Sequence, residues 1–107
     1  MNRRIILSPD ARADFSSAAR WYRRHNPDLF LRFVTEVQMT LRRIARFPNA
    51  FPRDDFVFKR ATANRFPFYI YFTFNLQNVF IRSIIHQRRA DSVWLKRREG
   101  YWQGEND

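Results

Sequence analysis

The chain has 107 residues, 45% hydrophobic and 18% aromatic, with 20 Lys+Arg against 10 Asp+Glu for a net charge of +10. That length makes one ordinary domain, burying roughly two thirds of the surface its unfolded form exposes, and the apolar content excludes a disordered tail. The absence of cysteine excludes a disulfide framework and every thiolate metal site.

In chain order, RIILS (residues 4 to 8) is a short β-branched run that reads as a strand. It stops at Ser8-Pro9-Asp10. A serine cap, a proline whose missing amide costs nothing at the first position, and an acid at the positive end of the dipole together start a helix. This helix is expected from Pro9 to His25, with Ala11, Phe15, Ala18, Ala19 and Tyr22 on one face of a 3.6-residue period. Trp21 lies off that stripe, which predicts a half-exposed position or a self-association face. His25 falls where a side chain can cap the helix C-terminus.

Asn26-Pro27-Asp28 repeats the start signal, so a second helix must run back antiparallel to the first. Its apolar side carries Phe30, Phe33, Val34, Val37, Leu41 and Ile44, and Phe47-Pro48-Asn49 ends it. PNAFPRDD (48 to 55) is a loop. Beyond it the period changes to two, with strands expected at Phe56 to Ala61, Phe68 to Phe74 and Val79 to His86. FYIYFTF is apolar on both faces, as a central strand covered on both sides must be. Tyr69 and Tyr71 point opposite to Phe68 and Ile70. The predicted fold class is α+β: an N-terminal strand and an antiparallel helical hairpin packed on a four-stranded antiparallel sheet. Residues 1–98 are expected to form this single domain, and 99–107 a loosely ordered tail.

Lys59 and Lys96 are the only lysines, so nearly all the cation is arginine, whose planar fork suits phosphate and carboxylate. A polyanionic partner is implied, although a charge run is also an ordinary solvated surface. MNRRIILSPD has too short an apolar run for a signal peptide, and no stretch is long enough to span a bilayer. A cytoplasmic protein with no membrane partner is expected. Two histidines far apart, with both glycines near the C-terminus, form neither a metal-ligand set nor a phosphate loop, so neither metal nor cofactor is expected.

SPDARADFSSAARWY, the NP that opens the second helix, LRRIARFPNAFPRDD, RFPFYIYF and HQRRADSVW, taken in order, resemble the RelE/ParE superfamily of toxins from type II toxin-antitoxin modules, also known as plasmid stabilisation proteins. The resemblance covers roughly residues 3 to 95. It implies a helical hairpin against an antiparallel sheet, as periodicity predicts, and a labile antitoxin that lays a segment across the toxin. RelE-like members cut messenger RNA on the ribosome; ParE-like members block DNA gyrase.

Metal-free RNA cleavage needs a base, an acid and cations for the crowded phosphate. If this chain were such a nuclease, His86 would carry the proton, with Arg88, Lys59 and Arg60 gripping phosphates. Two positions depart from the nuclease pattern that the resemblance implies. Phe68 stands where many RelE-like nucleases have arginine, and Trp94 where they have a tyrosine, which an indole cannot replace as acid or base. Phe66-Pro67-Phe68 and the HxRR ending look closer to ParE-type members. The expected function is therefore a non-enzymatic gyrase inhibitor, with no catalytic residue assigned. The ribosome-dependent endoribonuclease and a non-toxic nucleic-acid-binding domain are the alternatives.

Target contact is expected at Arg88, Arg89, Trp94, Arg82 and Arg65. A tryptophan beside guanidinium groups can stack on a base or clamp an acidic peptide, but a tryptophan is more often core than contact, and packing of the last segment onto the sheet is the other reading of Trp94. The cognate acidic antitoxin is expected on the second sheet face, at Tyr69, Tyr71, Lys59 and Arg60. The target is DNA gyrase, or alternatively the ribosome with its message. A homodimer or a toxin-antitoxin hetero-oligomer is the assembly that this reading allows.

Overall fold

The computed structural model describes residues 2–106, with side chains described through Tyr101. Strand β1 (Arg4–Leu7) leads into α1 (Pro9–His25) and α2 (Pro27–Arg46), followed by β2 (Lys59–Thr62), β3 (Phe68–Phe74) and β4 (Asn78–His86). A 3-10 turn and one turn of π-helix (Ala90–Trp94) connect β4 to α3 (Leu95–Asn106).

The start signals act as the sequence predicts. Ser8 Oγ accepts the Ala11 amide at 3.0 Å and donates to the Arg82 carbonyl at 2.8 Å, so the cap of α1 is also pinned to β4. Asn26 alone separates the two helices, and its amide donates to the Tyr22 carbonyl. His25 Nδ1 lies 2.9 Å from the Trp21 carbonyl and caps the end of α1. The anticipated stripes of both helices close on Ala61, Phe66, Phe68, Ile70, Phe72, Val79, Ile81 and Ile84 of the sheet region. Tyr22, Phe33, Phe66 and Phe68 pack ring on ring at the centre of this first core.

The sheet order is β1-β4-β3-β2. Its two pairs formed by β2, β3 and β4 are antiparallel, but β1 runs parallel to β4, with Ile5 opposite Val79 and Leu7 opposite Ile81. The all-antiparallel expectation is corrected in this one pair, and the connection after α2 supplies the reason. Residues 47–58 are long enough to carry the chain back along the sheet, so that β2 starts from the same end as β1, and two hairpin turns then leave β4 parallel to β1.

Two further details differ from the periodicity reading. The first sheet strand begins at Lys59, not Phe56, because Asp55 Oδ1 accepts the amides of Val57 at 2.8 Å and Phe58 at 2.7 Å and holds a turn there. In β4 a bulge interrupts the alternation: Tyr71 opposes Ser83 and Phe72 opposes Ile81, which leaves Arg82 as the extra residue. A bulge shifts the side-chain phase by one, and it puts Ile81 and Ile84 in the same core although they are three apart.

Candidate functional site

The second face of the sheet is not open. Tyr69 and Tyr71 do point away from the hairpin, but a second core forms over them from Phe58, Tyr71, Ile85 and Trp94, flanked by Tyr69, Val93 and Tyr101. Trp94 is 1% exposed. Its ring stacks on Tyr71 with centroids 4.1 Å apart, and its indole Nε1 donates to Asp54 Oδ2 at 2.7 Å. The expected target contact at Trp94 is thus replaced by its packing role, since a tryptophan with an indole partner and an aromatic platform gains more by burial than at a wet rim.

Polar contacts fasten this cover. Arg97 makes a bidentate pair with Asp14, at 2.8 and 3.0 Å, and also donates to Ser83 Oγ at 3.0 Å. Arg98 reaches Asp54 at 3.4 Å and Asp55 at 3.3 Å, while the Tyr101 hydroxyl donates to Asp10. Burial, reinforced by the Asp54 charge, pushes the Tyr71 phenol up to about 12, and burial with the Asp10 hydrogen bond pushes Tyr101 up to about 12. The hydrogen bond to Asp14 holds Arg97 above the usual guanidinium value. Tyr101 belongs to the stretch expected as a tail; here it lies within α3 and packs on the second core.

Four of the ten acids, Asp10, Asp14, Asp54 and Asp55, are therefore drawn into closing one face, with Arg97 and Arg98 as ionic partners among the described residues. The cationic excess elsewhere is larger than composition alone indicates. Arg88 and Arg89 are exposed just past β4 and have no carboxylate partner among the described residues. Arg65 is exposed in the turn between β2 and β3 at φ 68°, a left-handed conformation that glycine or asparagine adopts with less strain. Gln87 donates its amide to the Pro67 carbonyl at 2.8 Å, which ties the Arg65 turn to the Arg88–Arg89 segment.

Of the other expected residues, His86 is half-buried. Its Nδ1 accepts the Arg88 amide at 3.1 Å, and its ring meets Phe68 edge-on. Phe68 opposes His86 on β3 and Phe72 opposes Lys59, so Lys59 and His86 are offset by four residues, roughly 13 Å at strand rise. Arg60 lies over the Tyr69 ring at 4.2 Å. Lys59 donates to the Phe51 carbonyl at 2.7 Å and lines a cleft of about 450 Å³ with Arg53, Val57, Thr73, Phe80 and Arg82. Three cations and no carboxylate line this cleft among the described residues. The expected cationic set is therefore divided between two ends of the sheet.

The aromatic that accompanies the rim arginines is Trp21, not Trp94. Trp21 is 54% exposed and lines a cleft of about 620 Å³ between α1 and the C-terminal segment, together with Ser17, Phe68, Ile84, His86 and Arg89. The signal was legible as a tryptophan off the apolar stripe; its neighbours were not. Among the described residues, no helix is long and apolar enough to cross a membrane.

A family model described as "ParE toxin of type II toxin-antitoxin system, parDE" matches residues 5–91. No curated protein matches the sequence. Among solved structures, the chain is similar to one described as "Chromosomal ParDE TA system from P. aeruginosa", with a TM-score of 0.68 at 19% identity, covering 78% of this chain and 95% of that one. The α+β architecture built above and the match over most of its length place this chain in the ParE toxin family of type II toxin-antitoxin systems.

Proposed function

We propose that this protein is the toxin of a type II module, that it inhibits DNA gyrase by binding rather than by catalysis, and that a cognate acidic antitoxin neutralises it. The observation that carries the reading is the rim formed by Arg88 and Arg89, two exposed guanidinium groups without carboxylate partners among the described residues. Arg65 supports it. A bulky cationic residue held at a φ of 68° carries a cost of roughly 1–2 kcal/mol that a glycine would avoid, and strained positions cluster at functional surfaces.

The separation of Lys59 from His86 favours binding over ribonuclease chemistry, because only Arg88 of the three expected phosphate grips stands beside the expected proton carrier, while Lys59 and Arg60 lie on the far strand. For the antitoxin, Tyr71 is covered by Trp94 and the Tyr69 ring is capped by Arg60, so the contact is placed in the cleft of Arg53, Lys59 and Arg82. There an acidic segment meets cations on an apolar floor of Val57 and Phe80, and opposite charge accelerates the encounter.

The test is a supercoiling assay with purified toxin, gyrase and relaxed plasmid. Inhibition that is lost in the Arg88→Glu/Arg89→Glu variant and kept in His86→Gln is the expected result. Unchanged supercoiling together with cleaved message on translating ribosomes would overturn the reading in favour of the nuclease.

A further inference from the structure

The cleft between α1 and the C-terminal segment has features that a gyrase-binding surface alone does not require. Phe68, Ile84 and Ile85 line it on the sheet side, together with the mutually satisfied Asp14–Arg97 pair. At the mouth stand Trp21 and Arg89. One face of the indole stacks on His25 at 4.6 Å, which steadies the ring while leaving it more than half exposed. Ser17 offers a hydroxyl. Because His86 Nδ1 accepts the Arg88 amide, the neutral imidazole carries its proton on Nε2 and presents a donor.

An aromatic wall, an apolar lining, two polar handles and a guanidinium at the entrance match one ligand class: a single nucleotide, with a flat base, polar edges and a phosphate. The volume of about 620 Å³ admits one base and its sugar.

We propose that this cleft binds one unstacked nucleotide of single-stranded DNA, with the base against Trp21 and its phosphate on Arg89. The proposal rests on the reading above for its setting, since a toxin that acts on a DNA-handling enzyme meets DNA there, and unstacking is easiest where a strand is already open. It adds a nucleic-acid contact to a toxin otherwise read as a protein-protein inhibitor.

The test is fluorescence anisotropy with a short labelled single-stranded oligonucleotide and the corresponding duplex, titrated with the purified chain at two salt concentrations. Tighter binding to the single strand is expected. Trp21→Ala should weaken it about 5- to 100-fold, in line with the loss of one base stack, and Arg89→Gln should lower the salt slope by about one phosphate contact. Arg42→Gln, on the exposed side of α2, should leave the affinity within about twofold. Trp21 and Arg89 are exposed, so both variants should fold. No binding, equal binding of duplex, or indifference to Trp21→Ala would overturn the proposal. So would a Trp21→Ala variant that loses gyrase inhibition but keeps single-strand affinity, because the cleft would then be a protein contact. Wild-type chain that inhibits gyrase without binding the oligonucleotide overturns this inference and leaves the previous reading intact; the reverse pattern supports the cleft and overturns that reading.

Discussion

Trp94 and Asp54 join two segments forty residues apart: the indole Nε1 donates to the Asp54 carboxylate at 2.7 Å, under a ring that stacks on Tyr71. Asp54 also receives Arg98 at 3.4 Å. One carboxylate in the loop before β2 therefore anchors both the π-helical turn and the start of α3 over the sheet.

Trp94→Ala should destabilise the fold by about 3–5 kcal/mol, the usual cost of deleting a buried large aromatic. Trp94→Phe keeps a ring on Tyr71 and removes the donor, so about 1–2 kcal/mol is expected. Urea midpoints measured at constant m-value check both, and a Phe variant as damaged as the Ala variant would mean that the hydrogen bond dominates.

Arg97→Met leaves Asp14 with the Ile84 amide, at 2.9 Å, as its remaining donor among the described residues. The pair is partly exposed, with side-chain accessibilities of 26% and 12%, so solvent screening holds the expected loss to about 1–3 kcal/mol. Faster hydrogen exchange at the Ile84 amide, with exchange at Phe33 in the first core less affected, would locate the damage where β4 meets α1 and the C-terminal segment.

Alkaline pH should loosen α3. The phenols of Tyr71 and Tyr101 are raised to about 12 from an ordinary value of 10.0. The folded state therefore holds protons that the unfolded state releases, and stability falls as pH rises through this window. Their contribution is fully present below pH 10 and is lost on approach to 12. A phenolate absorbance titration should show a late-titrating class of tyrosine, and Tyr101→Phe should shrink it.

Arg88→Glu/Arg89→Glu should abolish killing in cells while leaving the unfolding free energy within about 0.5 kcal/mol of wild type, because neither side chain has a carboxylate partner to lose among the described residues. Lys59→Glu should instead reduce neutralisation by the antitoxin, read as toxicity that persists when the two are co-expressed.

Much of the first core was legible from residue types. Ser8-Pro9-Asp10 and Asn26-Pro27-Asp28 place the helix starts, and the stripes from Ala11 to Tyr22 and from Phe30 to Ile44 face the sheet as their spacing requires. The alternation in FYIYFTF put Tyr69 and Tyr71 on the face away from the hairpin. These features are local: each depends on residues within one or two turns, so a periodic pattern carries the information.

That FYIYFTF is covered on both faces, and that Trp94 can pack the last segment onto it, was legible; what fastens that cover was not, because nothing within LKRREGYWQGEN marks which of its faces is apolar. Its attachment depends on Asp54, Asp14 and Asp10, which lie 40, 83 and 91 residues from Trp94, Arg97 and Tyr101. The same holds for the choice between two tryptophans. Sequence alone determined that an excess of arginine would lie outside a hairpin-on-sheet core, since a fixed count of acids cannot neutralise twice as many cations. Only the tertiary structure decided which cations stay unmatched and which indole stands beside them. Chain reversal spends four aspartates on the C-terminal segment, buries Trp94 and leaves Trp21 with Arg89 in the cleft, an outcome set by long-range pairing that no local pattern encodes.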